Sequence, residues 1–141
     1  APPSEVLASS PALASYPGVF PEDTPAPATA LPTGAAARKS VPMAIGLLDY
    51  FPGALAEVAR CSRVANEHHN PGEPVHWARG KSTDHADCIL RHLVDRGTVD
   101  DDGVLHSAKV AWRALALLQE ELEAAGAKPG RGSWFPDEGS F

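Results

Sequence analysis

From residue 42 onward the apolar positions of this chain recur at helical spacing, and before residue 42 they do not. In "ALAEVARCSRVANEHH", Leu55, Val58, Ala59, Ser62 and Ala65 fall on one face of a predicted amphipathic helix. Ala86, Ile89, Leu90, Leu93 and Val94 form the apolar side of a helix predicted over 83–96, with Asp84, Asp87, Arg91 and Asp95 opposite. Ser82 is its expected N-cap and Gly97 its stop. Over 102–125, Val104, Ala108, Ala111, Leu115, Leu118 and Leu122 alternate at spacings of four and three, a heptad-like seam for packing against other helices. "MAIGLLDYF" adds a short helix before the break at Pro52-Gly53, and Pro71, Gly72, Pro74 and Gly80 make 70–81 a loop. The pattern predicts an all-α fold, a small bundle of four to five helices.

Most of the 14 prolines lie before residue 42, so residues 1–41 read as a Pro/Ala-rich arm that cannot hold a long helix. Two readings of it compete. One is a disordered tail; the other is an extended arm, anchored by Val6, Leu7, Leu13, Tyr16, Val19 and Phe20, wrapping its own domain or a neighbouring subunit. Residues 42–126 form the helical domain and 127–141 a tail. The chain of 141 residues has room for one real core. A net charge of -6 argues against general nucleic-acid binding, which needs an excess of Lys and Arg. Cys61 and Cys88 lack metal-type spacing and read as reduced thiols. With neither a secretory signal nor a membrane-length apolar run in view, a cytoplasmic location is expected.

Acids and histidines interrupt the helical pattern between Glu57 and His106. Asp84 and Asp87, three apart, can converge on one cation; alternatively Asp84 caps a helix and Asp87 pairs with Arg91. Glu67 ends the preceding helix beside the loop. Trp77 is a candidate to stack on a base or to cap the core, and Arg79 and Lys81 are candidates for phosphate contact. His92 and His106 are expected on facing helices, as core hydrogen-bonding groups or as contacts to phosphate or base. The triplet Asp100-Asp101-Asp102 reads first as helix N-terminal electrostatics. Gly-rich phosphate loops, the dinucleotide fingerprint, G-x-S-x-G and C-x-x-C are all absent from the sequence.

With Glu57 and, ten residues later, Glu67, then Trp77, Arg91-His92-Leu93, Asp101, Gly103 and His106, the stretch 42–122 resembles the phage-encoded, MazG-like all-α nucleoside triphosphate pyrophosphohydrolases. It departs from their pattern at His76, Asp102 and Lys109. The resemblance implies an all-α pyrophosphohydrolase fold and hydrolysis of a nucleoside triphosphate to the monophosphate and pyrophosphate. Members from cyanophages that replace adenine with 2-aminoadenine act on dGTP, which makes dGTP or GTP the leading substrate. The chemistry calls for two or three Mg²⁺ or Mn²⁺ ions, held by Glu67, Asp84, Asp87 and by Glu57 or Asp101. Glu67 and Asp87 are then the catalytic carboxylates. Trp77, Arg79, Lys81, Arg91, His92 and His106 bind substrate, and Arg79, Lys81 and Arg91 offset charge on the leaving pyrophosphate. The expected partners are a nucleotide and further copies of the chain, as a homodimer or homotetramer, with neither nucleic acid nor membrane. The rival readings are a non-catalytic helical adaptor and a His-metal nuclease.

Overall fold

The computed structural model describes residues 31–134 and holds four α-helices among them: α1 (Ala35–Lys39), α2 (Pro52–His69), α3 (His85–Val94) and α4 (His106–Ala124). The expected all-α class holds. The arm's anchors from Val6 to Phe20 and the end of the tail lie outside the described residues. The only strands among the described residues are β1 (Trp77–Ala78) and β2 (Ser133–Trp134), paired in parallel. The chain divides into two compact units, Ala1–Tyr50 with Leu117–Gly130 and Phe51–Ala116 with Arg131–Phe141. Among the described residues no single helix is long and apolar enough to cross a membrane.

The first unit contains α1, the C-terminal part of α4 and a π-helical segment, Ala44–Leu48, where a short α-helix was expected. There the amides of Leu48 and Asp49 reach back five residues, to the carbonyls of Met43 and Ala44. Gly46 weakens the α register, and Pro52 biases Phe51 away from helix, so the segment closes as one wide turn.

In the second unit Pro52 sits in the first turn of α2, where its missing N–H costs nothing. The inward face of α2 is rotated from the one the sequence pattern suggested. Cys61 is buried and Val64 packs on the core, whereas Ala59 and Ala65 are exposed. The cause is on α4: Cys61 meets Val104 and Ala108, and the Trp112 indole N–H donates to Ser62 Oγ at 2.8 Å. Val104 is fully buried at the centre of this cluster.

A larger departure occurs on α3. It begins at His85, with Asp84 rather than Ser82 at the N-cap position. Its buried residues are His85 and Cys88, which share a helical face with the half-buried His92. The expected apolar side faces outward, with Leu90 62%, Leu93 38% and Val94 78% exposed. On α4 the matching face carries His106, Lys109 and Arg113. His92 meets His106 near one end of the helix pair and His85 meets Arg113 near the other, so the helices run antiparallel along a polar seam.

Because Val104 has no exposed surface, Val104→Ala leaves a cavity in the centre of the small core. It is expected to lower stability by about 2 kcal/mol. Urea unfolding should show this as a lower midpoint at an unchanged slope.

Candidate functional site

Between α3 and α4 the chain reverses in a tight acidic hairpin. Val99 bridges antiparallel to Leu105; the Asp100 amide donates to the Val104 carbonyl and the His106 amide to Thr98. Gly103 takes φ +82°, a conformation glycine adopts without strain. The Asp102 carboxylate accepts from the Val104 amide, and Arg60 on α2 donates to the Gly103 carbonyl at 2.8 Å, tying the hairpin to α2. Asp100 and Asp102, two apart, thereby reach one point, the Lys109 ammonium, at 2.6 and 2.8 Å.

Electrostatics follow from this convergence. Partial burial pulls the Lys109 ammonium down, but its hydrogen bonds to Asp100 and Asp102 outweigh that, and its pKa lies above the usual lysine value. The Lys109 hydrogen bond and the Asp101 amide hold Asp100 below the carboxylate range. Burial opposes ionisation of Asp102, yet Lys109 and the Val104 amide draw it below the range as well. His92 is pushed down by burial first, then by Lys109 and His106, which favours neutral imidazole. Its Nδ1 lies 2.8 Å from His106 Nδ1, so one ring donates and the other accepts. His106 Nδ1 is 3.9 Å from Asp100 Oδ2. His92, Asp100 and His106 are the group among the described residues able to hold a metal ion, with one ligand atom from each within 4.8 Å of the others.

A second cluster surrounds Trp77, which β1 places beside the tail. The Trp77 amide donates to the Gly132 carbonyl at 2.9 Å. The Arg79 guanidinium lies 3.7 Å over the indole and donates to Ser133 Oγ through Nε and Nη2. The edges of Trp112 and His85 meet Trp77 at centroid distances of 5.7 and 6.4 Å. Arg113 donates to Ser82 Oγ, whose hydroxyl donates to Asp84. The cysteines at the core are free and buried, and burial raises the Cys61 thiol, which keeps it protonated.

The residues expected from the sequence divide into three sets. His92 and His106 meet, as expected on facing helices. Glu57, Glu67 and Asp84 each pair with an arginine, Arg60, Arg63 and Arg91 respectively, and Asp87 and Asp101 are exposed. The described residues do not gather these five carboxylates into one group. Arg79 is buried on Trp77, while exposed Lys81 donates to the His69 carbonyl. The sequence pattern marks Lys109 only as a departure from the family, gives Arg113 no role, and marks Asp100 and Asp102 as helix-end charges. The available signal was the i, i+2 pair of acids before Gly103, together with Lys109 and Arg113 at helical spacing from His106.

A family model described as dATP/dGTP diphosphohydrolase, N-terminal, matches residues 32–129. The match covers most of the chain, which belongs to that family. No curated protein and no solved structure matches the chain. The expectation of a dGTP pyrophosphohydrolase type of family is met; the match does not single out the MazG-like group or its phage members.

The Asp84–Arg91 contact offers a direct check on the electrostatics at the start of α3. The Arg91 and Ser82 hydrogen bonds draw Asp84 from 3.8 to about 2. Because the folded value is depressed, the pairing favours the fold above the ordinary carboxylate value and is lost as pH falls through about 2. A carboxyl NMR titration of Arg91→Gln should show Asp84 moving back toward 3.8.

Proposed function

We propose that this chain hydrolyses a purine deoxynucleoside triphosphate, dGTP or dATP, to the monophosphate and pyrophosphate, with dGTP preferred. The observation that carries the reading is the family match over residues 32–129, which spans the Trp77 loop, α3, the acidic hairpin and α4. In this reaction water attacks phosphorus at the α–β anhydride, one P–O bond forms, the bridging P–O bond breaks and the water's proton is taken up. Glu67 and Asp87 are the proposed proton acceptors. Both carboxylates are exposed, within reach of a substrate and its water.

A Mg²⁺ or Mn²⁺ ion supplies charge neutralisation and a more acidic bound water. The carboxylates here do not form an all-protein cage, but they suit the usual Mg²⁺ arrangement of one or two carboxylates plus substrate phosphates. Asp87 and Asp101 would hold the ion from the protein side, with Glu57, Glu67 and Asp84 reaching it only by leaving their arginines. Lys81 and Arg91 are exposed cations suited to the phosphates. One face of Trp77 is covered by Arg79, so the pair acts as a rigid wall for the base rather than as an open stacking platform.

The proposal includes a homo-oligomer. The outward Leu90, Leu93 and Val94 of α3 leave apolar surface that a second copy would cover. A non-catalytic adaptor is not favoured, since the family is named for a hydrolase.

A nucleotide panel with Mg²⁺ or Mn²⁺ is expected to release pyrophosphate from dGTP and dATP, and chelation should stop turnover. Release of pyrophosphate from no nucleotide would sink the reading. Sedimentation should give a dimer or tetramer, and Leu90→Glu should shift it toward monomer.

A further inference from the structure

We propose that His92, His106 and Asp100 form a site for one late first-row divalent ion of the Zn²⁺ class, and that the Lys109 ammonium is the resident cation which this ion displaces from Asp100. The proposal goes beyond the hydrolysis reading and does not depend on it. Donor chemistry gives the class. Two imidazole nitrogens and one carboxylate oxygen suit borderline ions such as Zn²⁺ and Co²⁺, whereas Mg²⁺ prefers an all-oxygen shell.

Distances agree with that choice. Tetrahedral bonds of about 2.05 Å place ligand atoms about 3.3 Å apart. The two observed separations, 2.8 Å between the imidazoles and 3.9 Å from His106 to Asp100, lie on either side of that value. These two need to change by about 0.6 Å or less, and the third, from His92 to Asp100, lies within 4.8 Å, so side-chain rotations have to close the set. The proton between the two Nδ1 atoms occupies the place of the ion; on binding, the donating ring carries its proton on Nε2 instead, which frees both Nδ1 atoms to ligate.

Charge also balances. Lys109 is held by two carboxylates, so when Asp100 turns to the ion the ammonium keeps Asp102 at 2.8 Å and is not stranded. Three protein ligands leave a fourth position for water. The His106, Lys109 and Asp100 side chains are 13%, 19% and 25% exposed, which leaves an approach from solvent.

Titration of the purified full chain with Co²⁺, without nucleotide, tests this. The expected result is a visible ligand-field band of nitrogen-ligated cobalt with fewer than six ligands, saturating at a single equivalent and bleached by Zn²⁺. His92→Gln and His106→Gln should each lose the band while keeping the helical circular dichroism, and a His68→Gln/His69→Gln control should retain it. Lys109→Met removes the competing ammonium and should tighten Co²⁺ binding about tenfold or more. If the histidine variants fail to fold, the affinity of Lys109→Met decides. No saturable band, a band that survives His106→Gln, or unchanged affinity in Lys109→Met would overturn the proposal. Nucleotide hydrolysis with Mg²⁺ but no cobalt band would reject this site and leave the reaction standing; a band without hydrolysis would do the reverse.

Discussion

One ammonium group organises the second unit. Lys109 stands in the first turns of α4, and its contacts to Asp100 and Asp102 bind the acidic hairpin to the helix that follows it. Two carboxylates this close repel, and the ammonium between them relieves that repulsion. Arg60 secures the other side through the Gly103 carbonyl. Held from both sides, the hairpin sets the starting direction of α4 and brings His106 against His92.

The seam between α3 and α4 reverses the ordinary economy of a small helical domain. Polar groups line it from His92–His106 to His85–Arg113, while leucines of α3 face outward. A polar seam is tolerable because its groups find partners: Arg113 has Ser82 and His85, Lys109 has two aspartates, and Trp112 has Ser62. Among the described residues, Cys61, Val104 and Ala108 form a buried apolar cluster, with Val64 and Trp112 packed against it. Leu90 and Leu93 of α3 lie outside this cluster, on the exposed side of the helix.

The helices were legible in the sequence because periodicity marks where a helix runs, and the class and the approximate spans of α2, α3 and α4 followed from it. Which face turns inward was less legible. Ala86, Leu90, Leu93 and Val94 make the more apolar side of α3, yet the side that meets α4 is chosen by complementary polar partners on another element. A hydrophobic pattern is blind to that choice. The site shows the same division. His92 and His106 were found because histidines on neighbouring helices are conspicuous. Lys109 stood out only as a departure from the family, since its meaning depends on a hairpin that puts Asp100 and Asp102 within reach. The family's reaction class was readable through a resemblance carried by scattered residues, which the hydrophobic pattern does not include.

The parallel pairing of β1 with β2 has a consequence for the order in which the molecule is made. Arg79 and Ser133 are 54 positions apart, so the loop bearing Trp77 leaves the ribosome well before the strand that secures it. By then every residue of the α3–α4 seam has already emerged. Domains begin to fold from their N-terminal parts during synthesis, and closing so long a loop carries an entropic cost that must wait for both ends. The charged seam can therefore assemble on the nascent chain, while the Trp77 wall acquires its Ser133 anchor only as the last described residues appear.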